Sequence, residues 1–167
     1  MLNQCILIMG ISGSGKTTTG KLLANKIGGD FLDADDLHPR CNIQKIKNGY
    51  SLTDQDRAPW LEEIISAITN HHRQQILVIA CSALKKSYRE KIGRQNYTLV
   101  FLDGSKTQIS ERLASRENHF MPQTLLKSQF NDLEKPSTAL NISISDTPDE
   151  IVRIIIRELG IFDVQRN

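Results

Sequence analysis

A glycine-rich stretch, GISGSGKTTTGKLL at residues 10–23, constrains the fold more than any other part of the sequence. It directly follows the apolar run CILIM at residues 5–9, and apolar residues then recur at Leu22, Leu23 and Ile27 with helical spacing. Glycine loses more backbone entropy on folding than any other residue, so a cluster of glycines needs a compensating interaction. The order of strand, glycine loop and helix therefore predicts a loop whose main chain binds a ligand.

The spacing within this loop is that of a phosphate-binding loop. Gly10 and the sequence Gly15-Lys16-Thr17 match the P-loop pattern G-x-x-x-x-G-K-[ST] at every position. Glycines let main-chain N–H groups approach phosphate oxygens, and the following helix directs the positive end of its dipole at the same oxygens. Lys16 is expected to reach the β- and γ-phosphates, and the Thr17 hydroxyl to ligate Mg²⁺. The alternative is a flexible glycine loop that matches by chance. The residues expected to bind the nucleotide are Gly10, Ser12, Gly13, Ser14, Gly15, Lys16, Thr17 and Thr18.

Further apolar runs predict the rest of the fold. They do not alternate with polar residues, which is typical of parallel strands buried on both faces. Helical patterns lie between them, with start signals at Thr53, Ser105 and Thr147 and a stop signal at Gly160. We therefore predict an α/β fold of the P-loop NTPase type: one domain over residues 1–167, a three-layer sandwich with a central parallel sheet and a helical lid. The additional runs are FLD (31–33), ILVIAC (76–81), TLVFLD (98–103) and NISIS (141–145).

Composition argues against several classes of protein. The formal net charge of +2 is too small to indicate a nucleic-acid or membrane partner. The three cysteines are odd in number and lack C-x-x-C spacing, so we expect neither a disulfide framework nor a zinc site. The apolar run at residues 5–9 is too short for a signal peptide or a membrane span. We expect a cytoplasmic protein with small-molecule partners.

Three absences narrow the choice among nucleotide-binding proteins. NKIG at residues 25–28 has glycine where the N-K-x-D motif of GTPases has aspartate, and the run ILVIAC ends in Cys81-Ser82 instead of Asp-Glu. A stripe rich in lysine or arginine is also missing. These absences leave a small kinase, in which an acceptor hydroxyl attacks the γ-phosphate. The alternative from another class is a regulatory switch that binds a nucleoside triphosphate without an acceptor.

An acidic cluster, FLDADDLHPRCN at residues 31–42, follows the second predicted strand, where such sheets place their ligands. Asp33 is expected to support Mg²⁺, and Asp35, on the same side, to accept the proton of the acceptor hydroxyl. Asp36 could instead cap the helix before Pro39. The alternative for the whole cluster is a solvated loop with capping aspartates.

A basic segment from Arg112 to Gln129 is the third candidate region. Arg112, Arg116, His119 and Lys127 surround a predicted helix–turn–helix excursion, and we expect a lid at about residues 114–135. A mobile arginine, for which Arg116 is the better candidate, can stabilise the charge of the transferring phosphoryl group. The alternative is an ordinary basic helix face.

These segments together resemble the small gluconokinases of the P-loop kinase group, relatives of shikimate kinases and nucleoside monophosphate kinases. The resemblance implies ATP- and Mg²⁺-dependent phosphorylation of D-gluconate to 6-phospho-D-gluconate, with core, lid and substrate-binding regions, and it makes a homodimer plausible. A kinase for another small acid, such as a shikimate-like acceptor, is the alternative within the same class. The segments are GISGSGKTT (10–18), FLDADDLHPRCNIQKIKNGYSLTDQDRAPWL (31–61), CSALKKSYRE (81–90) and HFMPQTLLKSQFNDLE (119–134).

A sugar-acid acceptor requires a partner for its carboxylate. Arg57 could form a two-point pair with it, or could be a surface arginine packed on Trp60, itself better explained as a core residue. Lys85 and Arg89 are further candidates, with an exposed helix face as the alternative, and His38 could equally be a helix-start histidine with a backbone partner. The expected catalytic residues are Lys16, Asp35 and Arg116; Arg112 is expected to bind the nucleotide; the expected acceptor-binding residues are Asp35, His38, Arg57, Lys85, Arg89 and His119; the expected metal ligands are Thr17 and Asp33.

Overall fold

Five parallel strands form the central sheet of the protein. The computed structural model describes residues 5–71, 74–93, 96–115 and 122–162. The strands are β1 (Cys5–Met9), β2 (Asp30–Asp33), β3 (Leu77–Ala80), β4 (Thr98–Asp103) and β5 (Leu140–Ser143). Their order in the sheet is β2-β3-β1-β4-β5, and every neighbouring pair is parallel. The strand that leads into the glycine loop is therefore central, flanked by β3 and β4.

Helices cover both faces of this sheet. They are α1 (Lys16–Ile27), α2 (Arg40–Lys47), α3 (Asp54–Asn70), α4 (Lys86–Gly93), α5 (Lys106–Ala114), α6 (Gln123–Asp132) and α7 (Pro148–Leu159), with a 3₁₀ helix at Ala34–Leu37. Strand β1 shows how the two layers share the sheet: Ile6 and Ile8 pack in one core cluster, and Leu7 and Met9 pack in the other. The predicted three-layer α/β sandwich is confirmed. No helix in the described ranges is long and apolar enough to cross a membrane.

The predicted element boundaries are confirmed where a local signal sets them. Thr53, Ser105 and Thr147 each accept a hydrogen bond from the third residue of the helix that follows. Gly160 ends α7 in the left-handed conformation, with a φ of 63°. Strand β5 ends earlier than predicted, because the Ser143 hydroxyl accepts a hydrogen bond from the Ser145 main chain at 3.2 Å and turns the chain.

One predicted cap is wrong. The 3₁₀ helix before Pro39 is capped by Asp33, whose side chain accepts a hydrogen bond from the Asp35 main chain, and Asp36 lies inside the helix. The reason is that β2 ends at Asp33, so the first unpaired main-chain N–H groups follow it directly. Asp33 is thus both a cap and a candidate ligand.

Trp60 connects α3 to the chain that leaves β2. Its side chain is 1% exposed, and its indole N–H donates a hydrogen bond of 2.7 Å to the Ala34 carbonyl oxygen. The ring stacks on His38 with a centroid separation of 4.6 Å. Trp60 is therefore a core residue that fixes the position of the acidic segment between residues 33 and 38.

We expect Trp60→Phe to lower the free energy of unfolding by about 2 kcal/mol or more, because it leaves a buried carbonyl unpaired and a partly empty site. Urea denaturation followed by circular dichroism measures this change. Tyr50→Phe is the control, because Tyr50 is 67% exposed; we expect its effect to stay within about 0.5 kcal/mol. Equal stability of the two variants would contradict the role given to the Trp60 hydrogen bond.

Candidate active site

The glycine loop between β1 and α1 has the geometry that its sequence predicts. Gly13 and Gly15 have φ angles of +87° and +97°, in the region that favours glycine. A Cβ atom on Gly10 would lie 2.6 Å from Ser14 Oγ and 2.9 Å from the Leu102 carbonyl oxygen. Gly10 is therefore required because a side chain would not fit there. Gly13 and Gly15 are required because other residues rarely adopt their backbone conformation.

Lys16 begins α1, and its side chain folds back across the loop. Its Nζ donates a hydrogen bond of 3.2 Å to the Ile11 carbonyl oxygen. This places a positive charge at the loop and at the N-terminus of the helix, where anions are favoured. The arrangement suits the phosphates of a nucleotide.

Thr17 and Asp33 meet beside this loop. The Thr17 hydroxyl donates a hydrogen bond of 2.6 Å to Asp33 Oδ2, although the two residues belong to different elements. A hydroxyl and a carboxylate in contact are the oxygen donors that Mg²⁺ takes in nucleotide sites. The described residues contain no group of three or more His, Cys, Asp or Glu side chains that could hold a metal ion. A cation at Thr17 and Asp33 would therefore complete its shell with phosphate and water oxygens.

Asp35 lies next to Asp33, because its main-chain N–H donates a hydrogen bond of 3.1 Å to Asp33 Oδ1. Burial raises the pKa of the Cys81 thiol, at the end of β3, to about 12, and the charges of Asp35, Lys16 and Asp33 also act on that pKa. Strand β3 lies between β2 and β1, so these three groups surround its carboxyl end. Asp35 itself is exposed and is able to reach a ligand.

His38 links Asp35 to the acceptor side. Its Nδ1 lies 3.4 Å from the amide nitrogen of the buried Asn42 side chain, which also donates to the Asp56 carbonyl oxygen at 2.7 Å. Burial lowers the pKa of His38, the negative charge of Asp35 raises it, and the positive charge of Arg57 lowers it. His38 is thus held neutral between a candidate base and a candidate carboxylate partner.

Arg57 and Lys85 belong to a charged cluster that we call the acceptor-side cluster: Asp54, Arg57, Lys85, Tyr88 and Asp132. Lys85 Nζ donates a hydrogen bond of 2.7 Å to Asp54 Oδ1, which also accepts one from the Tyr88 hydroxyl. Arg57 Nη1 donates to the Tyr88 oxygen at 3.1 Å. These bonds lower the pKa of Asp54, and the bond to Asp54 raises the pKa of Lys85, so both groups stay ionised. The cluster brings two cations together beside His38.

Asp132 completes this cluster and was not predicted. Its Oδ2 lies 3.5 Å from Arg57 Nη1, and its Oδ1 lies 3.9 Å from Lys85 Nζ. It is the last residue of α6, so the cluster joins three helices. The segment that contains Asp132, HFMPQTLLKSQFNDLE, has no motif that predicts its contacts with Arg57 and Lys85.

Arg89 occupies a different environment from Arg57 and Lys85. It is 8% exposed, and its guanidinium donates hydrogen bonds of 2.8 Å to the carbonyl oxygens of Ala83, Leu84 and Glu134. Its predicted alternative, an exposed helix face, is wrong because the side chain is buried under the chain that follows α6. This placement favours a structural role over a contact with an acceptor.

Arg112 lies on the other side of β1, in α5. Its Nη1 donates a hydrogen bond of 3.3 Å to the Ser14 carbonyl oxygen, and its Nη2 donates to that of Ile144. It also lines a shallow surface depression with Gln108, Glu111, Ser115, Ile144 and Ser145. Through its hydrogen bond to Ser14, Arg112 braces the glycine loop. Arg116 and His119, the other residues predicted in this region, lie outside the described residues.

Gln129 of α6 is a contact that sequence reasoning missed. Its Oε1 accepts a hydrogen bond of 2.8 Å from the Ser12 main chain, and its Nε2 donates one of 3.1 Å to Ser12 Oγ. Helix α6 therefore touches the glycine loop through Gln129 and the acceptor-side cluster through Asp132. The one sequence signal for these contacts is that two polar residues, Gln129 and Asp132, lie on a helix that buries Leu125 and Leu126.

Comparison with known proteins agrees with this geometry. The profile of the shikimate kinase family matches residues 12–158. A probable gluconokinase from Xenopus tropicalis is 41% identical over 92% of this chain and 90% of that protein. The thermosensitive gluconokinase from Escherichia coli K12 is 42% identical over 81% of this chain and 74% of that protein. The crystal structure of a gluconokinase from Sinorhizobium meliloti 1021 has a TM-score of 0.87 and 38% identity, and the match covers 95% of this chain and 93% of that one.

The chain belongs to the gluconokinase family. The resemblance stated from the sequence is thereby confirmed.

The proximity of Asp35, His38 and Arg57 in this gluconokinase-family chain can be tested by NMR titration of the His38 imidazole. We expect a midpoint below the usual value of 6.5. Asp35→Asn should lower it further, because a negative charge that stabilises the imidazolium is lost. Arg57→Leu should raise it, because a repelling positive charge is lost.

Asp149→Asn is the control for this titration, because Asp149 pairs with Lys26 and does not act on His38. We expect no change in the His38 midpoint. Shifts of the same sign in Asp35→Asn and Arg57→Leu would contradict the arrangement.

Proposed function

We propose that this chain is a gluconokinase, an ATP-dependent small-molecule kinase that transfers the γ-phosphoryl group of ATP to D-gluconate and forms 6-phospho-D-gluconate. The observation that carries the proposal is the set of contacts that joins Asp35 to both sides of the site. Asp33 accepts hydrogen bonds from the Thr17 hydroxyl at 2.6 Å and from the Asp35 main chain at 3.1 Å, and the Asp35 carbonyl oxygen accepts one from the His38 main chain at 3.3 Å. A candidate base thus lies between the phosphate-binding loop and cations suited to a sugar acid. Gluconokinase relatives at about 40% identity support the choice of acceptor.

The glycine loop and Lys16 bind the phosphates of ATP. The N–H groups of the loop and the Lys16 ammonium stabilise the negative charge that spreads over the γ-phosphoryl oxygens during transfer. Arg112 borders the nucleotide on the far side of the loop and keeps the Ser14 carbonyl away from the phosphates by bonding it. Thr17 and Asp33 would hold Mg²⁺, which neutralises phosphate charge when bound.

Asp35 accepts the proton of the acceptor hydroxyl as that oxygen attacks the γ-phosphorus. His38 faces the same space and orients the hydroxyls of the acceptor. Arg57 binds the gluconate carboxylate, and Lys85 adds a second positive charge. A neutral sugar brings no negative charge to Arg57 and Lys85, so it gains nothing from these cations and binds more weakly.

Several assignments extend this proposal beyond the described residues. Arg116 stabilises the transferring phosphoryl group, and His119 contacts the acceptor; helix α6 is the described part of the lid at about residues 114–135. Closure of that lid would exclude water, which competes with gluconate for the γ-phosphate. We further propose a single cytoplasmic domain that acts on small molecules and assembles as a homodimer.

The proposed function is tested by an ADP-release assay with ATP and a panel of gluconate, idonate, shikimate, AMP and glucose. We expect turnover with gluconate to exceed that with every other acceptor. Lys16→Ala should reduce kcat by about a hundredfold or more, because at least ~3 kcal/mol of transition-state stabilisation is lost. Phosphorylation of shikimate or AMP in preference to gluconate would reject the proposed acceptor.

The role of Asp35 is tested with Asp35→Asn, which keeps the shape of the side chain and removes its basicity. We expect kcat to fall by about a hundredfold or more, the range for loss of a general base, with little change in the KM for ATP. Asp36→Asn is the matched control, because Asp36 is the neighbouring exposed aspartate of the same 3₁₀ helix. Its kcat should stay near that of the wild-type protein. A variant Asp35→Asn that weakens ATP binding alone would move Asp35 to the nucleotide side.

A further inference from the structure

Asp132 lies beside the cations that the proposed reaction assigns to the acceptor. Its carboxylate oxygens are 3.5 Å from Arg57 Nη1 and 3.9 Å from Lys85 Nζ. The side chains of Arg57 and Asp132 are 16% and 23% exposed. A carboxylate of the protein therefore occupies the position at which the carboxylate of an acceptor would gain most from Arg57.

The acceptor-side cluster contains both short hydrogen bonds and longer ion pairs. Asp54 is held firmly, by a hydrogen bond of 2.7 Å from Lys85 and by another from the Tyr88 hydroxyl. The distances from Asp132 to Arg57 and Lys85 both exceed those of a normal N–H···O hydrogen bond. Asp132 is thus held by charge alone, and an incoming carboxylate that makes two short hydrogen bonds to Arg57 can replace it.

The main chain on both sides of Asp132 is fixed. Gln129 is hydrogen-bonded to Ser12 on one side. On the other side, Glu134 donates its main-chain N–H to the Leu84 carbonyl oxygen at 3.0 Å, and its own carbonyl oxygen accepts from Arg89 at 2.8 Å. These contacts hold α6 in the ligand-free protein, so Asp132 can leave Arg57 by rotation of its own side chain before lid closure moves the helix.

We propose that the Asp132 carboxylate pairs with Arg57 in the empty enzyme and is displaced by the carboxylate of the acceptor, so that Asp132 sets the affinity for the acceptor. This inference rests on the proposed function, which gives Arg57 its role. An acceptor with a carboxylate replaces one ion pair by a better one. A neutral sugar cannot make that exchange, so the Arg57–Asp132 pair remains. The same pair lowers the affinity for gluconate, because the two carboxylates compete.

The test is the KM for gluconate of Asp132→Asn at saturating ATP. The amide keeps the shape of the side chain and removes its charge, so gluconate no longer competes with a carboxylate. We expect the KM for gluconate to fall about two- to fivefold, the range that corresponds to a weak ion pair. The KM for ATP and the kcat/KM for glucose should stay unchanged. A gain in apparent affinity is a result that a damaged fold does not produce.

Asp132→Ser is a second variant, which removes the charge by shortening the side chain and should shift the KM for gluconate in the same direction. Glu158→Gln is the matched control. Glu158 is an acidic residue in the last turn of α7, paired with Arg157 at 2.7 Å. Its loss removes the same charge elsewhere and should leave the KM for gluconate unchanged.

The Arg57→Leu background shows whether the effect passes through Arg57. In that background, Asp132→Asn should give no increase in kcat/KM for gluconate, because the pair is already broken. An unchanged or raised KM for gluconate in both Asp132 variants would overturn the inference. An increase in kcat/KM for gluconate on adding Asp132→Asn to the Arg57→Leu background would overturn it as well. If the wild-type protein phosphorylates a different sugar acid, the proposed function fails, and the same KM ratio measured with that acid still decides the role of Asp132.

Discussion

The parallel direction of all five strands is the constraint on which the rest of this site depends. Parallel strands all end at the same edge of a sheet. Each right-handed crossover carries the chain from that edge back to the opposite edge, where the next strand begins. The glycine loop after β1, Asp33 after β2 and Cys81 after β3 are therefore neighbours, although the chain between them is long. The hydrogen bond of 2.6 Å between Thr17 and Asp33 closes this arrangement. Without the parallel order, a helix N-terminus and a carboxylate from separate crossovers would not meet.

The charges at this edge are arranged so that most of them are already paired. Lys45 bonds the Asp56 carboxylate at 2.8 and 2.9 Å, which together with the hydrogen bonds from Thr53 lowers the pKa of Asp56 to about 2. Lys85 is paired with Asp54 at 2.7 Å. Such pairs stay ionised at neutral pH and define where a substrate can add charge. Asp35 is exposed, and the structure gives it no ion pair among the described residues, so it remains available for chemistry.

The sequence predicted those features of the fold that are set by local signals. The helices after Ser105 and Thr147 begin where a capping box predicts, because both partners lie within four residues of each other. The contact between Thr17 and Asp33 could also be predicted from the sequence, because two motifs at strand ends of a parallel sheet must lie close together. Motif spacing and sheet topology together were enough to place Thr17 beside Asp33.

The acceptor side was harder to predict, because its contacts join distant parts of the chain. Arg57 bonds Tyr88 and Lys85 bonds Asp54, each across 31 residues. No periodicity or cap encodes such pairs, so Lys85 and Arg89, the candidates ranked after Arg57, looked equivalent from the sequence. Burial separates them, since Arg89 is enclosed by three carbonyl oxygens while Arg57 and Lys85 face carboxylates.

Helix α6 shows why the two sides of the site should not be treated as independent. Gln129 occupies a main-chain N–H of the phosphate-binding loop, and Asp132, three residues later on the same face, lies beside Arg57. In each contact α6 supplies an oxygen in place of one that a substrate would bring. Gln129 takes the place of a phosphate oxygen at Ser12, and Asp132 takes the place of a carboxylate oxygen at Arg57. Under the proposed function, ATP and the acceptor compete with side chains of one helix, and the loss of either contact removes part of what holds that helix in place. A ligand can shift such an equilibrium only by its differential affinity for the two arrangements, and here that difference arises from the exchange of a protein oxygen for a substrate oxygen.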